Sequence, residues 1–135
     1  MVVADGGQAV LIRNIIYKCG RHGVLVDGGE STASMLSNDI MKCGTGTGRE
    51  SCVMVSGGGR CRMAGNSVHN GFGAGIVIDA CAAVVLTRNA VHTNAGVGLH
   101  VTSGARPQVL DNVFRAGGAA GIHFSQSACG EILGK

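Results

Sequence analysis

The sequence contains no tryptophan, one proline, only 3% aromatic residues and only 14% charged residues. So few charges argue against a bundle of amphipathic helices, whose exposed faces would need many more Glu and Lys residues. The net charge is +3, and the basic residues are scattered along the chain rather than clustered. Because a dense basic face and an aromatic platform are both missing, we predict no nucleic-acid partner.

The sequence also lacks a long apolar run. None approaches the length of a membrane span, and the first residues, "MVVADGG", contain neither the basic nor the apolar part of a signal peptide. We therefore expect no membrane partner and a cytoplasmic location. In that compartment the six cysteines are expected to be reduced thiols rather than a disulfide framework.

Glycine and aliphatic residues are abundant instead. There are 24 glycines in 135 residues, and 45% of the residues are hydrophobic. Glycine together with many β-branched residues is typical of short strands joined by tight turns. The length suits one domain, which we place at residues 1–135.

An internal repeat of about 23 residues organises the chain. One position of each unit is an asparagine, and the series is Asn14, Asn38, Asn66, Asn89 and Asn112. Apolar residues keep constant offsets from these asparagines, and two of their columns lie two residues apart, as on one face of a strand. These columns are Val24, Val53, Ile76, Leu99 and Ile122, and Val26, Val55, Ile78, Val101 and Phe124.

Short units of this kind bury their apolar side only by stacking on one another. The sequence therefore predicts an all-β fold: a single-stranded right-handed parallel β-helix with five to six coils of about 23 residues. No capping element is recognisable at either end of the repeat. We therefore expect a fragment of a longer solenoid or a chain that stacks end to end as a homo-oligomer.

Two columns of the repeat are predicted to be structural. The asparagines are expected to form a ladder, with side chains hydrogen-bonded along the axis of the solenoid. Gly23, Gly75, Gly98 and Gly121 precede a strand in their units. These glycines predict either a left-handed backbone or a corner that is too crowded for a side chain.

The repeat resembles the pectin-lyase-like parallel β-helix superfamily, the carbohydrate-binding and sugar-hydrolase type. The segment 95–135 is most similar to the β-helix region of F-box ubiquitin-ligase adaptors and their relatives. The residues that carry this similarity are Gly104, Pro107, Asn112, Gly121, Ile122, Gly130 and Ile132. The resemblance implies the fold, but the repeat serves enzymes, adhesins and scaffolds alike. The sequence contains no F-box, so a ligase role would belong to a longer protein.

Lyases and hydrolases of this superfamily generally use clustered Asp residues, often with Ca²⁺ or a basic side chain. Asp27 and Asp79 occupy one column just after a predicted strand. They are two coils apart, or roughly 9–10 Å, a separation that suits an inverting pair of carboxylates. Short polar residues after a strand are also ordinary turn formers, so both interpretations remain open.

Candidate binding residues lie on outward positions of the repeat. His69 and His92 share one outward column with Arg115, and His100 and His123 share another. Each pair lies on adjacent coils and predicts a surface for a protein or a glycan. Neither pair is accompanied by the further ligands of a metal site, so we predict no metal and no cofactor.

The second unit carries an insertion at 44–51, within the stretch "CGTGTGRESC". Insertions in solenoids map to loops that often form the binding face, so Arg49 is a further binding candidate, with Glu50 exposed beside it. Cys19 and Cys43 share a turn column one coil apart. Their spacing allows either a disulfide or two small buried thiols.

Together these features predict a non-catalytic β-helix module that binds a protein or a glycan on its outer wall. One alternative is a fragment of a polysaccharide lyase or hydrolase that uses Asp27 and Asp79. The other is a purely structural scaffold element of a larger assembly.

Overall fold

The computed structural model describes residues 1–45, 50–80, 82–102, 104–105, 107–115, 121–124 and 131–133. Every regular element in these residues is a β-strand, and none of them forms a helix that could cross a membrane. The strands are β1 (Val2–Val3), β2 (Gln8–Ile12), β3 (Ile15–Tyr17), β4 (Val24–Asp27), β5 (Thr32–Leu36), β6 (Asp39–Met41), β7 (Val53–Ser56), β8 (Arg60–Ala64), β9 (Ser67–His69), β10 (Ile76–Ile78), β11 (Ala83–Thr87), β12 (Ala90–His92), β13 (Leu99–Val101), β14 (Gln108–Leu110), β15 (Val113–Arg115), β16 (Ile122–Phe124) and β17 (Glu131–Leu133).

The strands form three parallel sheets that run along the solenoid. In the described residues the first sheet contains β1, β4, β7, β10, β13 and β16. The second contains β2, β5, β8, β11, β14 and β17, and the third contains β3, β6, β9, β12 and β15. Each coil adds one strand to each sheet in turn, so the predicted parallel β-helix is confirmed.

Residues at equivalent positions of successive coils pair with one another. Val53 pairs with Val24 on one side and with Ile76 on the other, and Met35 pairs with Met63 in the second sheet. The apolar columns predicted from the repeat are therefore stacked, and they fill the interior of the solenoid. Its largest fully buried side chains include Met35, Ile40, Met63, Ile76, Ile78, Leu86 and Leu99. Full burial of such a side chain stabilises the fold by about 1.5–3 kcal/mol.

The predicted asparagine ladder is present between the second and third sheets. Asn66 Oδ1 accepts hydrogen bonds from the backbone amide and the side-chain Nδ2 of Asn38, at 2.8 and 3.0 Å. Asn38 Nδ2 also donates to the carbonyl oxygen of Leu11, one coil earlier, at 2.9 Å. The same side-chain pattern links Asn14 to Asn38, Asn66 to Asn89, and Asn89 to Asn112. The ladder thus satisfies buried polar groups that the turn would otherwise leave without partners.

The glycine column marks a crowded corner between the third and first sheets. A Cβ on Gly75 would lie 2.7 Å from Val91 Cγ1 and 2.8 Å from the carbonyl oxygen of Gly98. A Cβ on Gly98 would lie 2.7 Å from the carbonyl oxygen of Gly121. Neither glycine has a positive φ. Crowding rather than backbone conformation is therefore the reason for these glycines.

Left-handed residues lie on both sides of the third-sheet strands. They bend the chain sharply at each end of a three-residue strand, which gives each coil its corners. Those before the strands are Arg13, Ser37, Gly65, Arg88 and Asp111, and those after them are Lys18, Lys42, Asn70 and Thr93. Most of them carry a side chain, although glycine is the residue that adopts this conformation most easily.

Candidate functional site

The outer face of the third sheet brings together three of the predicted binding residues. His69 on β9 pairs with His92 on β12, and His92 pairs with Arg115 on β15. The two imidazole rings are stacked, with centroids 4.9 Å apart and planes 7° from parallel. We call His69, His92 and Arg115 the histidine–arginine strip. It presents one side chain per coil at the spacing of parallel strands, ~4.8 Å.

The two ends of this strip differ in charge. His69 Nε2 lies 2.8 Å from Asp39 Oδ1, on the preceding coil, so a protonated His69 forms an ion pair there. At the other end Arg115 is exposed and carries a guanidinium group. Partial burial lowers the pKa of His92, and the positive charges of His69 and Arg115 lower that pKa further. The Nδ1 atom of His92 lies 2.9 Å from Thr93 Oγ1.

A second stacked histidine pair lies on the outer face of the first sheet. His100 on β13 pairs with His123 on β16, with ring centroids 5.0 Å apart and planes 6° from parallel. The same outward column continues with the aliphatic side chains of Leu25, Met54 and Val77. This pair therefore extends an apolar column. The column of the histidine–arginine strip also begins with Tyr17 and Met41, but it ends at a cation, Arg115.

The aspartate column lies at the end of the first-sheet strands. Asp27 pairs with Ser56 on the next coil, and Ser56 Oγ donates a hydrogen bond to Asp27 Oδ1 at 3.2 Å. Asp79 follows β10, one coil further on. Ser56 thus lies between the two aspartates, which places their strands two spacings apart, about 10 Å. In the described part of the chain, no group of three or more His, Cys, Asp or Glu side chains is arranged to hold a metal ion.

The insertion at 44–51 is described only at its two ends, and Arg49 lies outside the described residues. The expectation that Glu50 is exposed is wrong. Its Oε2 accepts a hydrogen bond from Arg21 Nε at 2.9 Å and lies 3.8 Å from His22 Nε2, and its side chain is only 17% exposed. The ion pair to Arg21, one coil away, draws this carboxylate against the wall.

Two arginines on the second sheet were not among the binding residues predicted from the sequence. Arg60 and Arg62 both point outward from β8 and line a shallow groove with Thr32 and Gln108. Neither guanidinium forms an ion pair with any of the residues that the structure describes. Their alternate spacing in a strand with inward Cys61 and Met63 is the signal that would have placed them on the outer wall.

The family assignment agrees with this architecture. The family described as "Right handed beta helix region" matches residues 1–132. The chain belongs to the right-handed β-helix family. No curated protein and no solved structure matches the chain significantly. Family membership establishes the right-handed solenoid, and it leaves the activity to be inferred from the wall itself.

Proposed function

We propose that this right-handed β-helix is a non-catalytic module that binds a protein or a glycan along the outer face of its third sheet. The observation that carries the proposal is the register of the histidine–arginine strip, in which His69, His92 and Arg115 follow one another on three consecutive coils. None of these side chains is required by the core, because all three point away from it. The repeat therefore leaves them available for a ligand.

The chemistry of the strip suits a ligand that runs along the solenoid axis and carries a negative group. The two rings face each other, so the strip presents their edges rather than their faces to a ligand. Ring nitrogens lie on those edges, and an imidazole nitrogen donates or accepts a hydrogen bond according to its protonation. The guanidinium of Arg115 offers a planar fork of donors that matches a carboxylate. Asp39 disfavours a second anion at the other end, so the strip also defines the direction of the ligand.

The proposal is tested with a double variant, His92→Ala with Arg115→Ala. Affinity electrophoresis against a panel of neutral and uronic polysaccharides tests glycan binding, and pull-down with mass spectrometry tests protein binding. We expect the wild-type chain to retain a ligand in one of these assays and the double variant to bind it at least tenfold more weakly. Arg62→Ala is the matched control, since it removes an exposed cation from the second sheet.

The control also decides where the ligand binds. Retained binding in the Arg62→Ala variant supports the third sheet as the binding face. Loss of binding in that variant, with unchanged binding in the double variant, would place the ligand in the groove of Arg60 and Arg62 and contradict the proposal.

The similarity of segment 95–135 to the β-helix region of F-box adaptors supports a protein as the ligand. We propose that the two β-helices are related, since Pro107 and Gly121 directly precede β14 and β16 and Asn112 belongs to the asparagine ladder. Binding of a protein and of no polysaccharide in the two assays above would agree with it, and the reverse result would count against it.

The enzyme alternative has one observation in its favour, the row of Asp27, Ser56 and Asp79 on the first sheet. It predicts turnover of polygalacturonate or alginate that is lost in an Asp79→Asn variant with unchanged folding. Absence of turnover across the panel would remove this alternative.

End-to-end association is proposed as the route to a homo-oligomer. In the described residues β2 and β3 are edge strands, and Ile12, Ile15 and Tyr17 on them are exposed. Edge strands with apolar side chains favour pairing with another chain. Light scattering across a dilution series should show a concentration-dependent oligomer that Ile15→Lys weakens, and a monomer at all concentrations would refute it.

A further inference from the structure

Three cysteines meet at the corner between the third and first sheets, beside the crowded glycine column. Cys19 follows β3, Cys43 follows β6, and Cys52 immediately precedes β7. The backbone amide of Gly44 donates to the carbonyl oxygen of Cys19 at 2.9 Å, so Cys43 lies over Cys19 on the next coil. Cys52 occupies the column that holds Gly23 and Gly75 on the neighbouring coils, because its backbone is hydrogen-bonded in register with theirs.

The thiols of Cys43 and Cys52 lean toward each other's columns. Cys43 Sγ lies 2.8 Å from the point that a Cβ on Gly23 would occupy, in the column of Cys52. Cys52 Sγ lies 2.7 Å from the point that a Cβ on Gly71 would occupy, and Gly71 stacks over Cys43. The neighbouring glycines therefore leave the space into which the two sulfur atoms extend.

The repeat itself does not require sulfur at these positions. Two coils later Asn94 and Gly98 hold the same two columns, and the coil between them has only glycines there, Gly71 and Gly75. Cys43 and Cys52 are both fully buried, whereas Cys19 is half-buried and reachable from solvent. The corner therefore combines a buried dithiol with one accessible thiol beside it.

The thiols differ in their readiness to ionise. A hydrogen bond from the Cys43 thiol lowers the pKa of Cys52, and the same contact together with burial raises the pKa of Cys43. Burial also raises the pKa of Cys19, and its contact with Cys43 raises that pKa further. Cys52 is thus the member of the cluster in which the thiolate, the form that attacks a disulfide, is favoured.

We propose that Cys43 and Cys52 are a redox-active dithiol that is oxidised by small-molecule disulfides, with Cys19 as the thiol that admits the oxidant. The two cysteines bracket the insertion in the sequence, so their disulfide closes the ring of residues 43–52. This proposal is independent of ligand binding on the third sheet.

The oxidation proceeds in three exchange steps. Cys19 thiolate attacks one sulfur of a small-molecule disulfide, the S–S bond breaks, and one small thiolate leaves. Cys43 attacks Cys19 Sγ and gives its proton to the departing small thiolate, so the second small molecule leaves as a thiol. Cys52 thiolate then attacks Cys43 Sγ, forms the Cys43–Cys52 disulfide and returns Cys19 as a thiolate, which is reprotonated. In total two protein thiols lose two electrons and two protons, and one disulfide becomes two thiols.

Cys61 shows what an inert cysteine looks like in the same protein. It lies on β8 of the second sheet and faces the interior of the solenoid, where its Sγ lies 3.7 Å from Met35 Sδ. Burial raises its pKa to about 12, and in the described residues it is not in contact with another cysteine. It provides the matched control for the cluster.

The experiment uses the full chain with Cys81 and Cys129, which lie outside the described residues, replaced by Ser. This background is equilibrated in buffers of oxidised and reduced glutathione, quenched with an alkylating reagent, and mapped by mass spectrometry. We expect the four remaining thiols to fall to two, with a peptide that links Cys43 to Cys52. Cys61→Ser should leave both the rate and the product unchanged, whereas Cys19→Ser should slow oxidation at least tenfold and yield the same product.

Each outcome is decisive once circular dichroism shows that the chain is folded. Four free thiols after equilibration with oxidised glutathione would overturn the proposal, and so would a final product that links Cys19 to Cys43. An unchanged oxidation rate in the Cys19→Ser variant would overturn the role of Cys19. The dithiol itself is tested separately, by the presence or absence of the peptide that links Cys43 to Cys52.

Discussion

The imidazole rings of His69 and His92 lie face to face on adjacent coils, 4.9 Å between centroids and 7° from parallel. The parallel register of β9 and β12 produces this contact, because it places equivalent residues of successive coils directly above one another. His92 lies between His69 and Arg115, whose positive charges lower its pKa, and Asp39 lies beside His69. The strip is therefore sensitive to pH.

The first prediction concerns the protonation of His92. Burial, His69 and Arg115 all lower its pKa, and Asp39 opposes them only in part. Arg115→Gln removes one nearby positive charge, so the pKa of His92 should rise toward its ordinary value. NMR titration of the histidine ring protons measures this change. Arg62→Gln, on the second sheet, should leave the pKa of His92 unchanged. A pKa of His92 that is the same in the Arg115→Gln variant and in the wild-type chain would contradict the electrostatic account.

The same shift predicts how stability responds to pH. In the unfolded chain His92 has a pKa near 6.5, above its value in the folded protein. Below about pH 6.5 the unfolded state therefore binds more protons at His92 than the folded state does. The contribution of His92 to the free energy of unfolding is complete above that pH, and it is lost as the pH falls through the pKa of the folded state. Urea denaturation at several pH values should show less loss on acidification in His92→Gln than in the wild-type chain.

The second prediction concerns the asparagine ladder. Asn89→Ala removes the acceptor of the Asn66 backbone amide and side chain, and the donor to the carbonyl oxygen of Met63. A buried polar group without a partner costs about 1–3 kcal/mol, so the free energy of unfolding should fall by about 3 kcal/mol or more. Asn14→Ala, at the exposed end of the ladder, should cost less than about 1.5 kcal/mol. Equal losses in urea denaturation would argue against the ladder as the cause.

The third prediction concerns the left-handed turn after the third-sheet strands. Thr93 has a φ of 57°, and a β-branched residue is strained there. Asn70 occupies the same position one coil earlier with a φ of 55°, and asparagine tolerates this conformation. Thr93→Asn should therefore raise the free energy of unfolding by about 1 kcal/mol. The reciprocal change Asn70→Thr should lower it by a similar amount, and a melting temperature that moves in the same direction in both variants would contradict the argument.

The fourth prediction concerns the crowded corner. Gly75→Ala forces a methyl group to within 3 Å of Val91 and of the Gly98 carbonyl oxygen, and backbone atoms cannot move aside cheaply. We expect a loss of about 1–3 kcal/mol, as for overpacking in a core. Gly20→Ala is the control, since its Cβ would meet no atom within 4 Å. If Gly75→Ala were as stable as Gly20→Ala, the atoms around the corner would have moved to accept the methyl group, and the prediction would be wrong.

The sequence could predict the coil because its signals are periodic and local. The asparagine spacing and the columns through Val24 and Val26 required only that equivalent residues stack, and a β-helix stacks them automatically. The reason for the glycine column was not predictable to the same degree. Gly75 is explained by Val91, on β12, and by Gly98, just before β13, which approach it only in the folded chain.

The candidate sites divide in the same way. The sequence by itself determined which residues face outward and share a column, including His69, His92 and Arg115, since a period of two and a repeat of about 23 residues decide both. Only the tertiary structure decided which side chains contact each other across coils where the repeat is interrupted by the insertion. Glu50 is paired with Arg21, and Cys52 reaches the column of Cys43, because an insertion breaks the repeat there and side-chain contacts no longer follow from the register.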